Sequence, residues 1–252
     1  VNEFHQMVRR HGCSPIEWLR DIGFLAPEVI LGHAIIVAGG SWAQYAGDDI
    51  GVMADSGCSV AHAPWVFARR GIAMESFSRY LEAGINLSLG TDTAPQSMIE
   101  AMKFAAVVSK IIDRQTEMAT AADVFNAATL GGAKAIGRDD LGRIARGAKA
   151  DLVIWEGESL SMSPLRDPVR NIVYSAQAAD VNTVIVNGRV VLRDGTIPGA
   201  PDIRAMARRL QQSGERVWAN IARGDWAGRD ADTLSPQSFE GWDGEEPPLS
   251  DA

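Results

Sequence analysis

Three polar residues that can bind metal ions recur at near-equal intervals in the first half of this 252-residue chain. His33 and His62 are 29 positions apart, and His62 and Asp92 are 30 positions apart. Each lies within or directly after a short apolar segment. A β-strand with its following helix takes about 30 residues, so the spacing predicts three successive β–α units. Each unit would place one polar, metal-competent side chain at or near the C-terminal end of its strand.

The apolar segments alternate with stretches that have helical periodicity. The predicted strands are residues 29–37, 58–62 and 85–90, and the predicted helices are residues 1–24 (in two segments), 41–56, 73–83, 96–112 and 120–136. This order is typical of right-handed β–α–β units and a parallel sheet, so the predicted fold class is α/β. In (β/α) barrels the carboxyl ends of the strands carry the active site.

The sequence changes character from about residue 141. Residues 142–151 are rich in turn formers, and residues 151–155 predict a strand. Asn187-Gly188 lies between two β-branched segments and predicts a hairpin with a type I′ turn.

These patterns predict three regions. They are a barrel portion over residues 1–140, a small β module over 141–200, and a C-terminal region over 201–252 with an amphipathic helix (201–222) and an acidic surface tail.

Composition excludes several classes of function. The net charge is −8, and residues 225–252 hold eight acidic residues against one arginine, so the rest of the chain is near neutral. A basic surface for nucleic acid is therefore not expected. The apolar stretches are short and interrupted, which argues against membrane insertion. Only Cys13 and Cys58 are present, which favours a reducing, cytoplasmic location.

The three polar residues allow two kinds of interpretation. His33 and His62 could be buried histidines that satisfy backbone groups, and Asp92 could cap the helix that begins near Gln96. Their equal spacing favours a shared site instead. Imidazole and carboxylate ligands together suit Zn²⁺ or Fe²⁺, and a carboxylate beside metal-activated water can accept its proton. Trp65 and Phe67 are either core contacts or the apolar wall of a substrate pocket.

Several motifs resemble one known family. They are Leu31-Gly32-His33, Val60-Ala61-His62-Ala63-Pro64, Leu89-Gly90-Thr91-Asp92, and the segments 127–133, 147–153 and 186–188. In this order they are similar to the last three barrel strands of the amidohydrolase superfamily and to the segments that follow. The most similar branch contains cytosine deaminase, S-adenosylhomocysteine deaminase and the triazine chlorohydrolases.

The resemblance implies a fold and residue roles. The chain would form about strands 6 to 8 of a TIM-type (β/α)8 barrel, with the remnant of a small β-sandwich module. His33 and Asp92 would bind a divalent metal, with Zn more expected than Fe. Asp92 and His62 would be catalytic, and His62, Trp65 and Phe67 would contact a small heterocyclic substrate.

Two functions follow. The first is a metal-dependent hydrolase of non-peptide carbon–nitrogen bonds, which deaminates or dechlorinates a heterocycle with metal-activated water. The second is a catalytically incomplete fragment or subunit, because the His-x-His pair and the strand-five histidine of the family are absent from the sequence. The isolated chain would then be inactive and would self-associate or need an N-terminal complementing half. A nucleotide-binding module is disfavoured, because no Gly-rich phosphate loop follows a strand.

Overall fold

The parallel sheet predicted from the residue spacing is present in the computed structural model, which describes residues 1–200 and 202–239. Its strands are Ile30–Gly32 (β1), Ser59–His62 (β2) and Asn86–Leu89 (β3), in the order β1-β2-β3. Both strand pairs are parallel. The carboxyl ends of all three strands therefore lie at one end of the sheet, and the α/β class is confirmed.

Helices precede, connect and follow these strands. They are Asn2–His11 (α1), Pro15–Asp21 (α2), Asp49–Ser56 (α3), Pro64–Ala68 (α4), Phe77–Glu82 (α5), Met98–Asp113 (α6), Ala121–Asn126 (α7), Gly132–Ala135 (α8) and Pro168–Tyr174 (α9). Side chains fix several of the starts. The Ser14 hydroxyl accepts a hydrogen bond from the Glu17 amide, and Pro15 occupies the first turn of α2. The predicted break between the first two helices is thereby confirmed.

Two predicted elements are much shorter than expected. The strand over residues 29–37 ends at Gly32, because His33 and Ala34 adopt positive φ angles that turn the chain away from the sheet. The residues beyond that turn still enter the core, which explains the apolar run. The helix over residues 41–56 begins only at Asp49, where the Asp48 side chain caps it.

Residues 120–136 form one helical stretch with an unpredicted π-helical turn, Ala127–Gly131, between α7 and α8. The π turn lies close against β3. A Cβ atom on Gly131 would lie 2.0 Å from the carbonyl oxygen of Leu87. Glycine at this position is what permits the close approach. Helices α4 and α9 were also not predicted.

One large apolar cluster surrounds the parallel sheet. Val60 and Leu87 in the strands, Met53 in α3 and Phe77 in α5 are buried and belong to one apolar cluster. Helix α9 adds Val173 to the same cluster. Fully burying a side chain of this size stabilises the fold by about 1.5–3 kcal/mol.

A second sheet has a different organisation. Its strands, Leu152–Trp155 (β4), Val181–Val186 (β5) and Arg189–Arg193 (β6), pair antiparallel in the order β4-β5-β6. Asn187 and Gly188 have φ angles of 48° and 78° and join β5 to β6. Two positive φ angles are the signature of a type I′ turn, so the hairpin prediction is confirmed.

The chain divides into two units, Val1–Pro198 and Gly199–Ala252. The predicted boundary at residue 140, and the assignment of the second sheet to a β-sandwich remnant, stay predictions. The second unit contains Ile203–Trp218 (α10), Ile221–Gly224 (α11) and Ala231–Leu234 (α12). The predicted helix over 201–222 is confirmed for Ile203–Trp218, and the acidic residues 240–252 of the predicted tail lie outside the described residues.

None of the helices in residues 1–200 and 202–239 is both long enough and apolar enough to cross a membrane.

Candidate metal and active site

His33 and Asp92 each occupy the centre of a γ-turn, His33 directly after β1 and Asp92 shortly after the end of β3. The Ala34 amide donates to the Gly32 carbonyl at 2.8 Å, and His33 has a φ of 70°. The Thr93 amide donates to the Thr91 carbonyl at 2.6 Å, and Asp92 has a φ of 57°. Turns of this positive-φ form are rare and strained in non-glycine residues, and such strain concentrates at functional sites.

The two turns bring their side chains together. The Nε2 atom of His33 lies 3.7 Å from the Oδ2 atom of Asp92. Their strands, β1 and β3, are separated by β2, so the backbones at the strand ends are about 9–10 Å apart. Both side chains therefore reach across the end of β2. They are 34% and 47% exposed, so a ligand can reach them.

The structural interpretations of these two residues are not supported. Ser97, not Asp92, caps the following helix, α6, through a hydrogen bond from the Glu100 amide. The buried Nδ1 atom of His33 has no hydrogen-bond partner among the residues that the structure describes. His33 is therefore not a core histidine that satisfies a backbone group.

His62 differs from both. It is the last residue of β2 and is only 4% exposed. Burial, with a smaller contribution from the charge of His33, lowers the pKa of His62 to about 3. Its imidazole is thus neutral near pH 7, and its Nδ1 atom has no partner within residues 1–200 and 202–239. It lies beside the Phe77 ring, with centroids 6.1 Å apart.

The two aromatic residues after His62 lie on α4 and have different neighbours. Phe67 packs edge-on against the His33 ring, with centroids 4.6 Å apart. Trp65 packs against Phe104 of α6 at 4.7 Å. Phe67 is therefore placed at the His33–Asp92 pair, whereas Trp65 contacts the neighbouring helix. Their predicted contacts with substrate, and that of His62, stay predictions.

Two further buried polar groups contact the segment that follows β1, and the sequence identified neither of these contacts. Asp49, the first residue of α3, is fully buried and accepts hydrogen bonds from the Ser14 hydroxyl and the Ala38 amide. Burial raises the pKa of this carboxyl. The Tyr80 hydroxyl donates to the Ala34 carbonyl at 2.6 Å. A tyrosine on an apolar helix face signals a buried hydroxyl that needs a partner, but the sequence does not identify the partner.

The paired side chains fit part of a metal site. Two ligands about 2.0–2.1 Å from one tetrahedral Zn²⁺ lie about 3.3 Å apart. The observed 3.7 Å is close to that separation, and one imidazole with one carboxylate suits Zn²⁺ or Fe²⁺. The described residues contain no group of three or more histidine, cysteine, aspartate or glutamate side chains that could hold an ion. Two donors are therefore available here, and a catalytic zinc site has three or more.

Comparison with known proteins identifies relatives over most of the chain. A model of the amidohydrolase family matches residues 2–191. A 5'-deoxyadenosine deaminase from Methanothermobacter thermautotrophicus is 36% identical over 200 residues, which are 78% of this chain and 45% of that protein. A 5-methylthioadenosine/S-adenosylhomocysteine deaminase from Acetivibrio thermocellus is 33% identical over 77% of this chain and 44% of its own length. The chain thus spans less than half the length of these relatives.

Solved structures agree on the fold. An adenosine deaminase from Xanthomonas campestris, crystallised with bound zinc, superposes with a TM-score of 0.78 at 26% identity over 86% of this chain and 48% of its own. Atrazine chlorohydrolase from Arthrobacter aurescens, also crystallised with zinc, gives a TM-score of 0.71 at 23% identity over 82% of this chain and 46% of its own. In both cases the chain matches about half of the structure.

Proposed function

This chain belongs to the amidohydrolase family, and from that membership we propose that it forms the C-terminal part of a metal-dependent hydrolase. The proposed reaction is hydrolysis of a non-peptide carbon–nitrogen bond, as in deamination of a heterocycle, or dechlorination of such a ring. The approach of His33 Nε2 to Asp92 Oδ2, 3.7 Å, is the observation that carries the proposal. In barrel terms, β1, β2 and β3 would be strands 6 to 8.

His33 and Asp92 are the proposed metal-binding residues. Zn²⁺ is the preferred ion and Fe²⁺ the second choice, because an imidazole and a carboxylate suit both. When bound, such an ion makes water more acidic and polarises the bond that is attacked. The zinc in the Xanthomonas campestris deaminase structure supports the choice of ion.

Asp92 is the proposed proton-transfer residue. Its carboxylate is part exposed and lies at the C-terminal end of the sheet, so it can accept a proton from the attacking water. In deamination, oxygen from that water forms a bond to the ring carbon. The carbon–nitrogen bond breaks, and the leaving nitrogen takes up the transferred proton as ammonia. In dechlorination, chloride leaves from the same carbon.

His62 and the aromatic residues would position the substrate. A neutral His62 can donate or accept one hydrogen bond at pH 7, but it is not an imidazolium acid there, because its pKa is about 3. Phe67 presents an apolar surface beside His33, which suits a flat heterocycle. The deaminases among the relatives support an aminated, adenosine-like substrate class.

A second candidate function is a non-catalytic or complementing subunit. One observation favours it: the described residues offer two neighbouring metal donors where a full site needs more. The remaining ligands would come from an N-terminal half or from another copy of the chain. We also propose a cytoplasmic location, which the unpaired Cys13 and Cys58 favour.

The test compares the chain alone with the same chain joined to an N-terminal half that supplies a His-x-His pair. Metal content is measured after dialysis, and ammonia release is measured on aminated purines, pyrimidines and triazines. We expect weak zinc binding and no turnover for the chain alone, because two ligands forfeit much of the binding energy of a complete site. The joined protein should retain zinc and release ammonia.

Variants of the joined protein assign the roles. His33→Ala and Asp92→Asn should each lower kcat/KM by about 100-fold or more, and His62→Ala by about tenfold. His11→Ala and Asp55→Asn, on exposed positions of α1 and α3, are the matched controls and should leave kcat/KM unchanged. Full activity in Asp92→Asn would exclude the proposed role of Asp92, and no ammonia release from the joined parent protein would exclude the hydrolase proposal. Stoichiometric zinc in the isolated chain would exclude the incomplete-site alternative.

A further inference from the structure

The γ-turn at His33 is held from inside the core by one side chain. Tyr80 lies on α5 and is 1% exposed. Its hydroxyl donates a 2.6 Å hydrogen bond to the carbonyl oxygen of Ala34, the residue that follows His33. On the sheet side, the His33 amide donates to the Ala61 carbonyl at 2.9 Å. The turn is therefore fastened on both sides of the histidine.

This turn has a competing conformation. His33 and Ala34 both have positive φ angles, 70° and 43°, which side chains with a Cβ rarely adopt. The run 33–37 is otherwise apolar, so it has the composition of an extension of β1. Without the hydrogen bond from Tyr80, the Ala34 carbonyl would lose its buried donor. The extended conformation would then become more accessible, and the strand pleat would set the direction of the imidazole.

Tyr80 itself has little freedom to move. A short turn joins its helix to β3, and in that turn the Ile85 amide donates to the Tyr80 carbonyl at 2.9 Å. The ring is part of the core cluster around the sheet. The hydroxyl is thus fixed with respect to β3, the strand that leads to Asp92. Tyr80 consequently links the His33 turn to the strand that carries its partner.

We infer that Tyr80 is a positioning residue: its hydroxyl holds the His33–Ala34 turn so that the imidazole faces Asp92. The inference rests on the proposed function, in which His33 and Asp92 hold the metal ion. Tyr80 has no role in proton transfer in this proposal. Its contribution is to keep two donors 3.7 Å apart at the ends of strands that do not pair with each other.

The experiment measures Zn²⁺ binding by titration calorimetry on the full chain, so it does not depend on turnover. Tyr80→Phe removes one oxygen atom and should weaken Zn²⁺ binding about tenfold. The double variant Tyr80→Phe/Ala34→Gly should recover most of that loss, because glycine adopts a positive φ without steric cost. Recovery by a change at the turn is not expected if Tyr80 only fills space in the core.

Ser56→Ala is the matched control. The Ser56 hydroxyl also donates to a backbone carbonyl, that of Met53, but it lies just before the amino end of β2, away from the carboxyl ends of the strands. It should lower stability without changing Zn²⁺ affinity. Equal weakening in Ser56→Ala and Tyr80→Phe would overturn the inference, because it would show a general effect of destabilisation. If Tyr80→Phe does not fold, a folded double variant with affinity still tenfold down overturns it as well.

Two further variants separate this inference from the proposed function. His33→Ala and Asp92→Asn should each weaken Zn²⁺ binding more than Tyr80→Phe does. If neither changes the affinity, the proposed metal site fails. If both do and Tyr80→Phe binds Zn²⁺ as the parent does, the metal site stands and the positioning role of Tyr80 fails.

Discussion

The parallel sheet β1-β2-β3 and the antiparallel sheet β4-β5-β6 have the same number of strands but very different surroundings. In the parallel sheet, Val60 and Leu87 at mid-strand are 0% and 2% exposed. In the antiparallel sheet, Val153 and Ile154 are 47% and 49% exposed. Helices cover the faces of the parallel sheet, as parallel strands require. Val153 and Ile154 are consecutive and point to opposite faces of β4, so both faces of that strand are partly exposed.

The difference extends to where backbone strain is placed. In the turns that follow β1 and β3, positive φ angles at non-glycine residues fall at His33, Ala34 and Asp92, and His33 and Asp92 form the candidate site. In the antiparallel sheet, they fall at Asn187 in the hairpin turn and at Asp194 in the turn after β6, where asparagine and aspartate are favoured residues. The strained turns of the first sheet thus lie against a dense core, and they orient the residues of the candidate site. In the second sheet such turns only reverse the chain.

The largest expected effect tests the difference in burial. Leu87→Ala in β3 should lower the free energy of unfolding by about 2–5 kcal/mol, because it removes buried methyl groups and leaves a cavity. Ile154→Ala in β4 removes a similar side chain that is half exposed, and it should cost less than about 1 kcal/mol. Urea denaturation of the two variants beside the parent measures both values. Equal losses would mean that the antiparallel sheet is as tightly packed as the parallel one.

The second prediction concerns how the free energy of unfolding depends on pH. All four histidines lie in residues 1–62 and none lies in the antiparallel sheet, so histidine titration affects only the first region. The pKa of His62 is about 3 in the folded chain, against an ordinary value of 6.5. Below pH 6.5 the unfolded chain binds a proton at His62 and the folded chain does not. The contribution of neutral His62 to the free energy of unfolding is therefore fully present above pH 6.5. It is lost as the pH falls towards 3, by about 1.4 kcal/mol per pH unit.

Denaturation of the parent and of His62→Asn at pH 7, 6 and 5 isolates this contribution. The parent should lose stability relative to the variant as the pH falls. Asp49 acts in the opposite direction, because its raised pKa favours the folded state at low pH. It is present in both proteins, so it cancels in the difference. Parallel pH profiles for the two proteins would show that His62 is not a buried, neutral histidine.

Much of this architecture could be predicted from the sequence. The apolar segments and their 30-residue spacing gave the order of the parallel strands, and the Asn187-Gly188 pair gave the hairpin, since each is a local pattern with a direct structural cause. Local signals also predicted the polar residues at the ends of the strands. The resemblance to the amidohydrolase family gave the expected roles of those residues, and the family assignment is confirmed.

The end of β1 and the geometry of the candidate site could not be predicted, because they depend on contacts between residues that are distant in the sequence. His33-Ala34 contains no glycine or asparagine that would signal a positive φ, so the end of β1 at Gly32 was not predictable. The hydrogen bond that holds this turn comes from Tyr80, 46 positions away. The approach of His33 to Asp92 follows from these contacts and from the matching turn at Asp92. A sequence pattern can place residues at strand ends, but it does not give the distance between them.

The third prediction concerns a glycine that contacts the parallel sheet. Gly131 has helical backbone angles, so alanine is allowed there by conformation. The added Cβ would lie 2.0 Å from the Leu87 carbonyl oxygen, and the π turn would have to move away from β3. Gly131→Ala should therefore lower stability by about 1–3 kcal/mol, as other overpacked sites do. Gly132→Ala is the matched control, since its Cβ would meet no atom within 4 Å, and urea denaturation should show little loss.

The smallest expected effect concerns a glycine in the antiparallel sheet. Gly131 is constrained by space and not by its backbone angles, whereas this glycine is constrained by its backbone angles and not by space. A Cβ on Gly188 would meet no atom within 4 Å, but its φ of 78° is unfavourable for any residue with a side chain. Gly188→Ala should cost about 1 kcal/mol, from backbone conformation alone. Gly188→Asn should cost less, because asparagine tolerates this region better than alanine does. The free energies of unfolding of both variants, from urea denaturation, test the contrast. If Gly131→Ala costs no more than Gly188→Ala, contact with β3 is not what selects glycine at position 131. If alanine and asparagine at position 188 cost the same, conformation is not what selects glycine in this turn.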